Sequence, residues 1–251
     1  MLENDEGIEK LFFELASESR LSILREISKH DGKMREIARK LDLTTTETFR
    51  QLQRLSQGLL VEKQPEGTYT ITEYGRFILQ LSVSFEFIFN NRQYFSTHDF
   101  RKLPYQFLNR IGELSQASLI MNTMDSMKKF EKIFGEAEQY AWGLREGSSI
   151  ESIGPMFSEQ LRKGVKFKDI CPESELATHE ISSEKQRNVE SRGLPLADIP
   201  ATIMLTEKEG AICLRFINGR MDYACFVDKN SVGLNWIRDL FLYYWDKGKR
   251  V

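Results

Sequence analysis

The chain has few of the residues that usually carry chemistry. Its three histidines, His30, His98 and His179, are far apart in the sequence and form no metal-ligand cluster. Its three cysteines, Cys171, Cys213 and Cys225, include no Cys-x-x-Cys spacing, which argues against a structural zinc site and a thioredoxin-like motif. Buried apolar thiols are expected instead; Cys213 and Cys225, on neighbouring predicted strands, are the one pair placed for redox chemistry. Gly143 and Gly147 do not make a Gly-x-Gly-x-x-Gly loop, so no phosphate cradle of that kind is expected. No apolar run approaches the roughly 18 residues of a membrane span. The first residues, Met-Leu-Glu-Asn-Asp-Glu, are acidic and lack a signal-peptide pattern, which predicts a cytoplasmic protein with no membrane partner. There is no internal repeat and no low-complexity linker. Charge is balanced as well, with 35 Lys and Arg against 37 Asp and Glu. Neither a metal nor a cofactor is expected.

A length of 251 residues with 41% hydrophobic content suits two compact domains. Residues 1–91 are expected to form the first. Within it, Met34, Ile37, Ala38 and Leu41 recur at helical spacing. Asp42 and Leu43 make a turn, and Thr44 stands three residues before Glu47, the spacing of a capping box. Thr48, Leu52, Leu55 and Leu59 then repeat at helical spacing in a second helix whose core side takes Thr48, Leu52 and Leu55, and Gly58 sits where it should stop. Val61 to Gln64 and Thr68 to Ile71 flank the turn signal Pro65-Glu66-Gly67. Helix, turn, capped helix and hairpin form the layout of a winged helix-turn-helix, whose second helix enters the major groove.

The outward face of the second helix then reads as Thr45, Thr46, Phe49, Arg50, Gln53 and Arg54. Hydroxyls and amides bond base edges, and arginine bonds guanine or neutralises phosphate. Glu47 is left out because the cap accounts for it. Lys63, Gln64, Thr68 and Tyr69 on the hairpin are the expected backbone or minor-groove contacts. The partner expected is double-stranded DNA. Residues 1–80 hold 12 basic and 14 acidic residues, while Lys29 to Arg54 hold seven against four. Phosphate neutralisation supplies much of DNA affinity, so one copy should bind weakly and a homodimer is expected.

Two helical stretches precede this unit, with Leu11, Phe12 and Leu15 on one and Leu21, Leu24 and Ile27 on the next, behind a Ser17 cap. After it, Thr72 caps a helix from Tyr74 to about Asn90 that is too aromatic to be solvated all round. Residues 92–251 read as an α/β domain. Pro104 opens a helix through Leu114, and Ser126 to Phe134 reads as another. Gln139 to Leu144, Ile150 to Lys163 and Val165 to Cys171 read as strand, helix and strand, which implies a parallel pair. A polar helix is expected near His179 to Ser191. Ala201 to Thr206, Ala211 to Ile217 and Met221 to Val227 are strand candidates, with Asn218-Gly219 a hairpin signal. The last helix, Ser231 to Asp246, carries Trp236, Leu240, Phe241, Tyr244 and Trp245, a belt that reads as core or interface packing. Effector candidates are Trp142, Arg145, Lys166, Arg192, Arg215 and Tyr223, at strand ends or polar loops near sheet edges; ordinary surface residues would look the same.

Several motifs also resemble known families. Ala16-Ser17-Glu18-Ser19-Arg20-Leu21-Ser22-Ile23-Leu24 resembles the second helix of ArsR-like regulators. Arg50-Gln51-Leu52-Gln53-Arg54-Leu55, Gly58-Leu59-Leu60 and Tyr69-Thr70-Ile71-Thr72-Glu73-Tyr74-Gly75 resemble a large archaeal branch of them. Pro104 through Leu114, Lys163-Gly164-Val165 and Trp236 through Trp245 resemble the sensor module known as the methanogenesis regulatory protein middle domain. The resemblance spans nearly the whole chain. It implies a transcription regulator of an archaeon, a methanogen, acting on genes of carbon or methyl-group metabolism. Metal-sensing ArsR proteins carry a Cys-Val-Cys-type motif on the first helix of the helix-turn-helix. Met34-Arg35-Glu36-Ile37-Ala38-Arg39-Lys40 has no thiol, so that site is not implied. The second domain is also distantly similar to sugar-responsive archaeal regulators with a phospholipase D-like sensor. Lys163-Gly164-Val165-Lys166 lacks the histidine of that fold's His-x-Lys motif, so the implied domain is non-catalytic.

The expectation is therefore a DNA-binding regulator, not an enzyme, whose second domain senses a small effector or a partner. Two alternatives stay open. The winged helix could grip a protein instead of DNA, or the second domain could carry an enzyme, with Asp169, Glu173 and Glu175 near Cys171 as its acid cluster.

Overall fold

The computed structural model describes residues 7–147, 150–176 and 188–250, with the side chains of 150–153 excepted. The chain is a mixture of helix and sheet and divides into two compact units, Met1–Val83 and Ser84–Val251. In the first unit, helices α1 (Ile8–Leu15) and α2 (Glu18–Lys29) precede a short strand β1 (Gly32–Lys33). Helices α3 (Met34–Lys40) and α4 (Thr45–Gln57) follow, then strands β2 (Val61–Lys63) and β3 (Thr68–Ile71) and the helix α5 (Glu73–Asn90), inside which the division falls.

Local chemistry sets these boundaries. The Ser17 hydroxyl accepts from the Arg20 N–H at 3.4 Å at the start of α2. At the start of α4 the Thr44 hydroxyl accepts from the Glu47 N–H at 3.1 Å. The reciprocal arm of the expected capping box is not made; the Glu47 carboxylate instead accepts from the Ser19 hydroxyl at 2.8 Å, tying α4 to α2. Asp42 takes the α3–α4 turn at φ 53°, a left-handed conformation that a short polar side chain tolerates. Gly67 turns the hairpin at φ 88°, where an L side chain would be strained. Thr72 caps α5, its hydroxyl accepting from the Gly75 N–H at 2.9 Å. A Cβ on Gly75 would stand 2.1 Å from the Leu60 carbonyl oxygen, so only glycine fits that close approach.

The core of this unit joins Ile23, Leu24 and Ile27 of α2, Ile37 of α3, Leu52 and Leu55 of α4, and Leu60, Val61, Tyr69 and Ile71 at the sheet. Each fully buried leucine of α4 contributes about 1.5–3 kcal/mol by leaving water. The strands form one antiparallel sheet in the order β1-β3-β2.

The second unit adds α6 (Arg92–Thr97), β4 (His98–Asp99), α7 (Tyr105–Leu108), a 3-10 turn (Ile111–Leu114), β5 (Ser118–Ile120), α8 (Thr123–Gly135), β6 (Tyr140–Leu144) and α9 (Ile150–Arg162). It continues with β7 (Lys166–Pro172), α10 (Glu173–Leu176), β8 (Val189–Leu194), β9 (Ala201–Thr206), β10 (Gly210–Phe216), β11 (Cys225–Asp228), α11 (Ser231–Lys247) and β12 (Lys249–Arg250). Among the described residues the sheet runs β12-β8-β7-β6-β9-β10-β11-β5, with β4 beside β10. Strands β6, β7 and β8 are parallel, as the strand-helix-strand spacing predicts. The remaining pairings are antiparallel.

Strand alternation separates two faces. Leu144, Ile170, Leu194, Ile203, Ile212 and Phe226 pack with Trp236, Ile237, Leu240 and Phe241 of α11. On the other face Ala141, Phe167, Cys213 and Cys225 meet Ile133 and Phe134 of α8, with Phe157 of α9 against Phe167. The aromatic belt of α11 is core: Trp236 is fully buried and its indole N–H donates to the Phe107 carbonyl at 3.2 Å.

Three expectations are corrected here. Pro104 to Leu114 is not one helix but a single turn and a 3-10 turn, because Gly112 lies against Ser84, whose side chain would stand 2.6 Å from an added Cβ. The strand expected from Met221 begins at Cys225, with Met221 joined to Arg215 by an isolated bridge. There Asp222 binds the Tyr223 N–H and the His98 ring, which competes with the ladder. Most of the helix expected near His179 to Ser191 lies outside the described residues, but Val189 to Ser191 are strand, paired with β7.

Candidate nucleic-acid interface

Helix α4 buries Thr48, Leu52 and Leu55 completely and turns Thr45, Thr46, Phe49, Arg50, Gln53 and Arg54 outward. Thr48 could join the core because its hydroxyl donates to the Thr44 carbonyl at 2.9 Å. The two arginines differ. Arg50 is exposed and makes no ion pair among the described residues. Arg54 is bound within its own unit: its Nη2 and Nε donate to the Glu14 carboxylate at 2.5 and 3.1 Å. Its guanidinium also lies 4.9 Å from the centre of the Phe13 ring. Glu14 receives Arg20 as well, at 2.9 Å. The Arg54 hydrogen bond, with the Arg20 charge behind it, holds the Glu14 carboxyl below its ordinary value of 4.5 against the opposing effect of burial. Arg54 faces outward as expected, and reading a base would require it to leave that carboxylate.

The hairpin is also sorted by its alternation. Tyr69 and Ile71 point inward and are buried in the core, so Tyr69 is not an outward contact. Lys63 stands opposite Tyr69, exposed, with its ammonium 6.0 Å from the ring centre. Gln64 donates to Glu62 and to Thr70, each at 3.0 Å, which leaves the half-buried Thr68 and Lys63 beside the turn. Helix α3 contributes cations that the pattern reading passed over. Lys33 at its start and Arg35 and Arg39 along it are exposed and without ion pairs among the described residues. Their exposure at non-apolar positions of the helical period was readable in the sequence.

The six effector candidates do not converge. Arg145, just after β6, is buried and donates to Asp169 at 2.9 Å and to Glu175 at 2.7 Å. Arg215 in β10 is buried, with Glu146 at 2.9 Å and the Ile199 carbonyl at 3.1 Å. Neither is the polar edge residue expected; both are internal ion pairs. Tyr223 is exposed before β11 and stacks on no ring among the described residues. Trp142, Lys166 and Arg192 share the sheet face that carries α11, and Trp142 stacks on Phe241 with ring centres 5.2 Å apart. Lys168, absent from the sequence-based set, lies between Trp142 and Trp245.

The acid cluster has partners too: Asp169 and Glu175 bind Arg145, and Glu173 lies 3.0 Å from Lys249. Burial, aided by the Asp169 charge, pushes the Cys171 thiol up to about 12, so it is not a thiolate at neutral pH. Cys213 and Cys225 are buried free thiols on adjacent strands, and burial raises Cys213. No helix among the described residues is long and apolar enough to cross a membrane.

No protein-family profile matches the chain, and no curated protein matches it. The likeness to ArsR-like regulators and to the methanogenesis regulatory middle domain therefore rests on the motifs quoted above. Among solved structures the chain is similar to TrmBL2, an archaeal chromatin protein described as showing a novel mode of DNA binding, at 14% identity over 97% of both chains with a TM-score of 0.45. It is similar to NucT from Helicobacter pylori at 10% identity, over 54% of this chain and 98% of that one, with a TM-score of 0.40. It is also similar to Nuc from Salmonella typhimurium, a phospholipase D family member, at 11% identity over 50% and 90% of the two chains, with a TM-score of 0.38.

Proposed function

We propose that the chain is a DNA-binding transcription regulator whose first unit is a winged helix-turn-helix and whose second unit is a non-catalytic sensor. The observation that carries the reading is α4. It is N-capped by Thr44, seated by three fully buried side chains, and presents Thr45, Thr46, Phe49, Arg50 and Gln53 outward, with a hairpin carrying Lys63 after it. A rigid helix with a polar outward face and an unpaired arginine has the donors and acceptors that base edges require. The exposed Lys33, Arg35 and Arg39 of α3 supply phosphate contacts.

A homodimer belongs to the same proposal. Helix α5 exposes Phe77, Leu81, Phe85 and Ile88. These recur at spacings of four, four and three, an apolar stripe along one side of the helix, and a second copy of α5 offers the matching stripe. The quoted family motifs support an archaeal regulator, in a methanogen, of carbon or methyl-group genes. The test is genome-wide occupancy of the tagged protein in its own host, followed by binding to the recovered sites in vitro. Enriched promoter sites sharing a two-fold repeat are the expected result. Uniform or absent occupancy would leave the winged helix as a protein-binding module.

A further inference from the structure

Lys168 and Arg192 bring two positive charges to one indole ring, with no carboxylate paired to either among the described residues. The Lys168 ammonium lies 5.0 Å from the centre of the Trp142 ring and 4.9 Å from that of Trp245. The Arg192 guanidinium lies 4.5 Å from the centre of the Trp245 ring. The parallel register places Lys168 opposite Glu190 and Ile170 opposite Arg192, so the two cations sit diagonally across β7 and β8 on one face. On the far side of β8, Arg250 stands directly opposite Arg192. Lys166 is two residues before Lys168 on the same strand and shares its face. Of the five charged side chains that β7, β8 and β12 place on this face, Glu190 alone is acidic, and none has an ion pair among the described residues.

Packing explains only part of this arrangement. An indole face attracts a cation but supplies no counter-charge, and like charges gathered at one ring repel. Arg192 Nη1 donates to the Trp245 carbonyl at 2.5 Å, a contact with the last turn of α11. Its Nε, by contrast, is shut off from solvent with no acceptor among the described residues. A buried donor left unmade costs about 1–3 kcal/mol.

We propose that Lys168, Arg192, Trp142 and Trp245 form a binding site for a small multivalent oxyanion, of phosphate or polycarboxylate type. The proposal rests on the reading of the second unit as a sensor and names the chemistry it senses. Lys168 and Arg192 grip the anion, Lys166 and Arg250 widen the positive field, and the indoles fix the position of both gripping cations. The crowded ring faces of Trp142, already covered by Phe241 and Lys168, leave no room for a stacked base, so the charge and not a ring is what the site recognises.

The test uses the full chain and inorganic pyrophosphate, without DNA. Pyrophosphate should raise the thermal unfolding midpoint saturably and change the tryptophan fluorescence, because two of the three tryptophans line the site and Trp236 is fully buried elsewhere. Lys168→Gln keeps the stem on the indoles and should raise the half-saturating concentration about tenfold, the loss of one charge-assisted hydrogen bond. Lys168→Arg should restore binding. Lys128→Gln, an exposed lysine on α8, should behave as the wild type. Citrate matching pyrophosphate would support the site and assign the carboxylate source; citrate without effect would support it and assign phosphate. No saturable response, or an equal response from Lys168→Gln (an adventitious ion only), would overturn the proposal, as would a response to duplex DNA alone. A chain that binds pyrophosphate but no DNA keeps the anion site and sinks the regulator reading; the reverse result sinks the site alone.

Discussion

Arg50 and Arg54 are four residues apart on α4, and their surroundings give them different work. Arg50 has no counter-ion among the described residues, so Arg50→Ala should weaken binding to the recovered operator by about 1–3 kcal/mol and relax preference at one base position. Its unfolding midpoint should not move. Arg54 holds Glu14, so Arg54→Ala should lower the unfolding midpoint, and any loss of DNA affinity should track that loss of stability. Fluorescence anisotropy with an operator duplex, beside thermal unfolding, separates the two; an unchanged midpoint for Arg54→Ala together with a base-specific loss would return Arg54 to the reading set. Glu14 also carries a pH signature. Its folded-state value lies below the ordinary 4.5 through the Arg54 hydrogen bond, so the stabilisation it gives is present above the unfolded value and is lost as pH falls through the folded one. Stability of the wild type should drop below about pH 4.5, and Glu14→Gln should flatten part of that drop. Glu26, Asp99 and Glu207 are lowered in the same direction, so the wild-type-minus-Gln difference is the measurement. A difference that does not vary with pH would remove Glu14 from the account.

At the scale of elements, the proposed reading gives the N-cap and the β2–β3 hairpin separable functions. Thr44→Ala removes the acceptor for the Glu47 N–H and should cost about 1 kcal/mol of stability, read by urea unfolding, with DNA affinity reduced for all sequences alike. Lys63→Ala should leave stability unchanged and reduce the slope of log affinity against log salt by about one unit. A sequence-selective loss with no change of slope would place Lys63 on a base edge. Both predictions concern elements that were legible in the sequence, because helix period, cap residue and turn glycine act over four or five residues. The strand-helix-strand from β6 to β7 was legible for the same reason. What the sequence hid depends on partners far along the chain. Arg54 and Glu14 are separated by 40 residues, and no local pattern ties a helix position to a carboxylate that distant. The bare register of β7 against β8 is likewise non-local, so Lys168 went unread although Lys166, Lys168 and Ile170 share a face. Tyr69 differs: its two-residue spacing from Ile71 puts its ring inward with that residue, so burial and not contact with a partner is what the strand period dictates there.

At the scale of the whole molecule the balance of charge decides how DNA could be held. A net charge of −2 gives no long-range attraction to a polyanion, and 12 basic against 14 acidic residues in the first 80 leave a single copy with a handful of phosphate contacts. Two linked copies reading two half-sites raise the effective concentration of the second contact to the millimolar range or so, without any new residue at the DNA. In the proposed dimer the α5 stripe supplies the means, because Phe77 is 60% exposed and a helix face so apolar is rarely left in water. The full chain should therefore scatter light as a dimer at micromolar concentration. Leu81→Glu with Phe85→Glu would bury four carboxylates in a C2 seam and should yield a folded monomer whose affinity for a two-half-site operator falls to that for a single half-site. The half-sites should lie about one DNA turn apart, roughly 34 Å, since two-fold symmetry in the protein requires it in the operator. A wild-type monomer that binds one half-site tightly would refute the dimer. A dimer unaffected by the double substitution would move the seam away from α5. If the dimer is the binding form, an oxyanion that favours one arrangement of the pair can change operator affinity only by its differential affinity for the two states; a coupling of about 1–3 kcal/mol corresponds to roughly 5- to 150-fold. Operator binding measured with and without pyrophosphate, in the wild type and in Lys168→Gln, should show that change in the wild type alone.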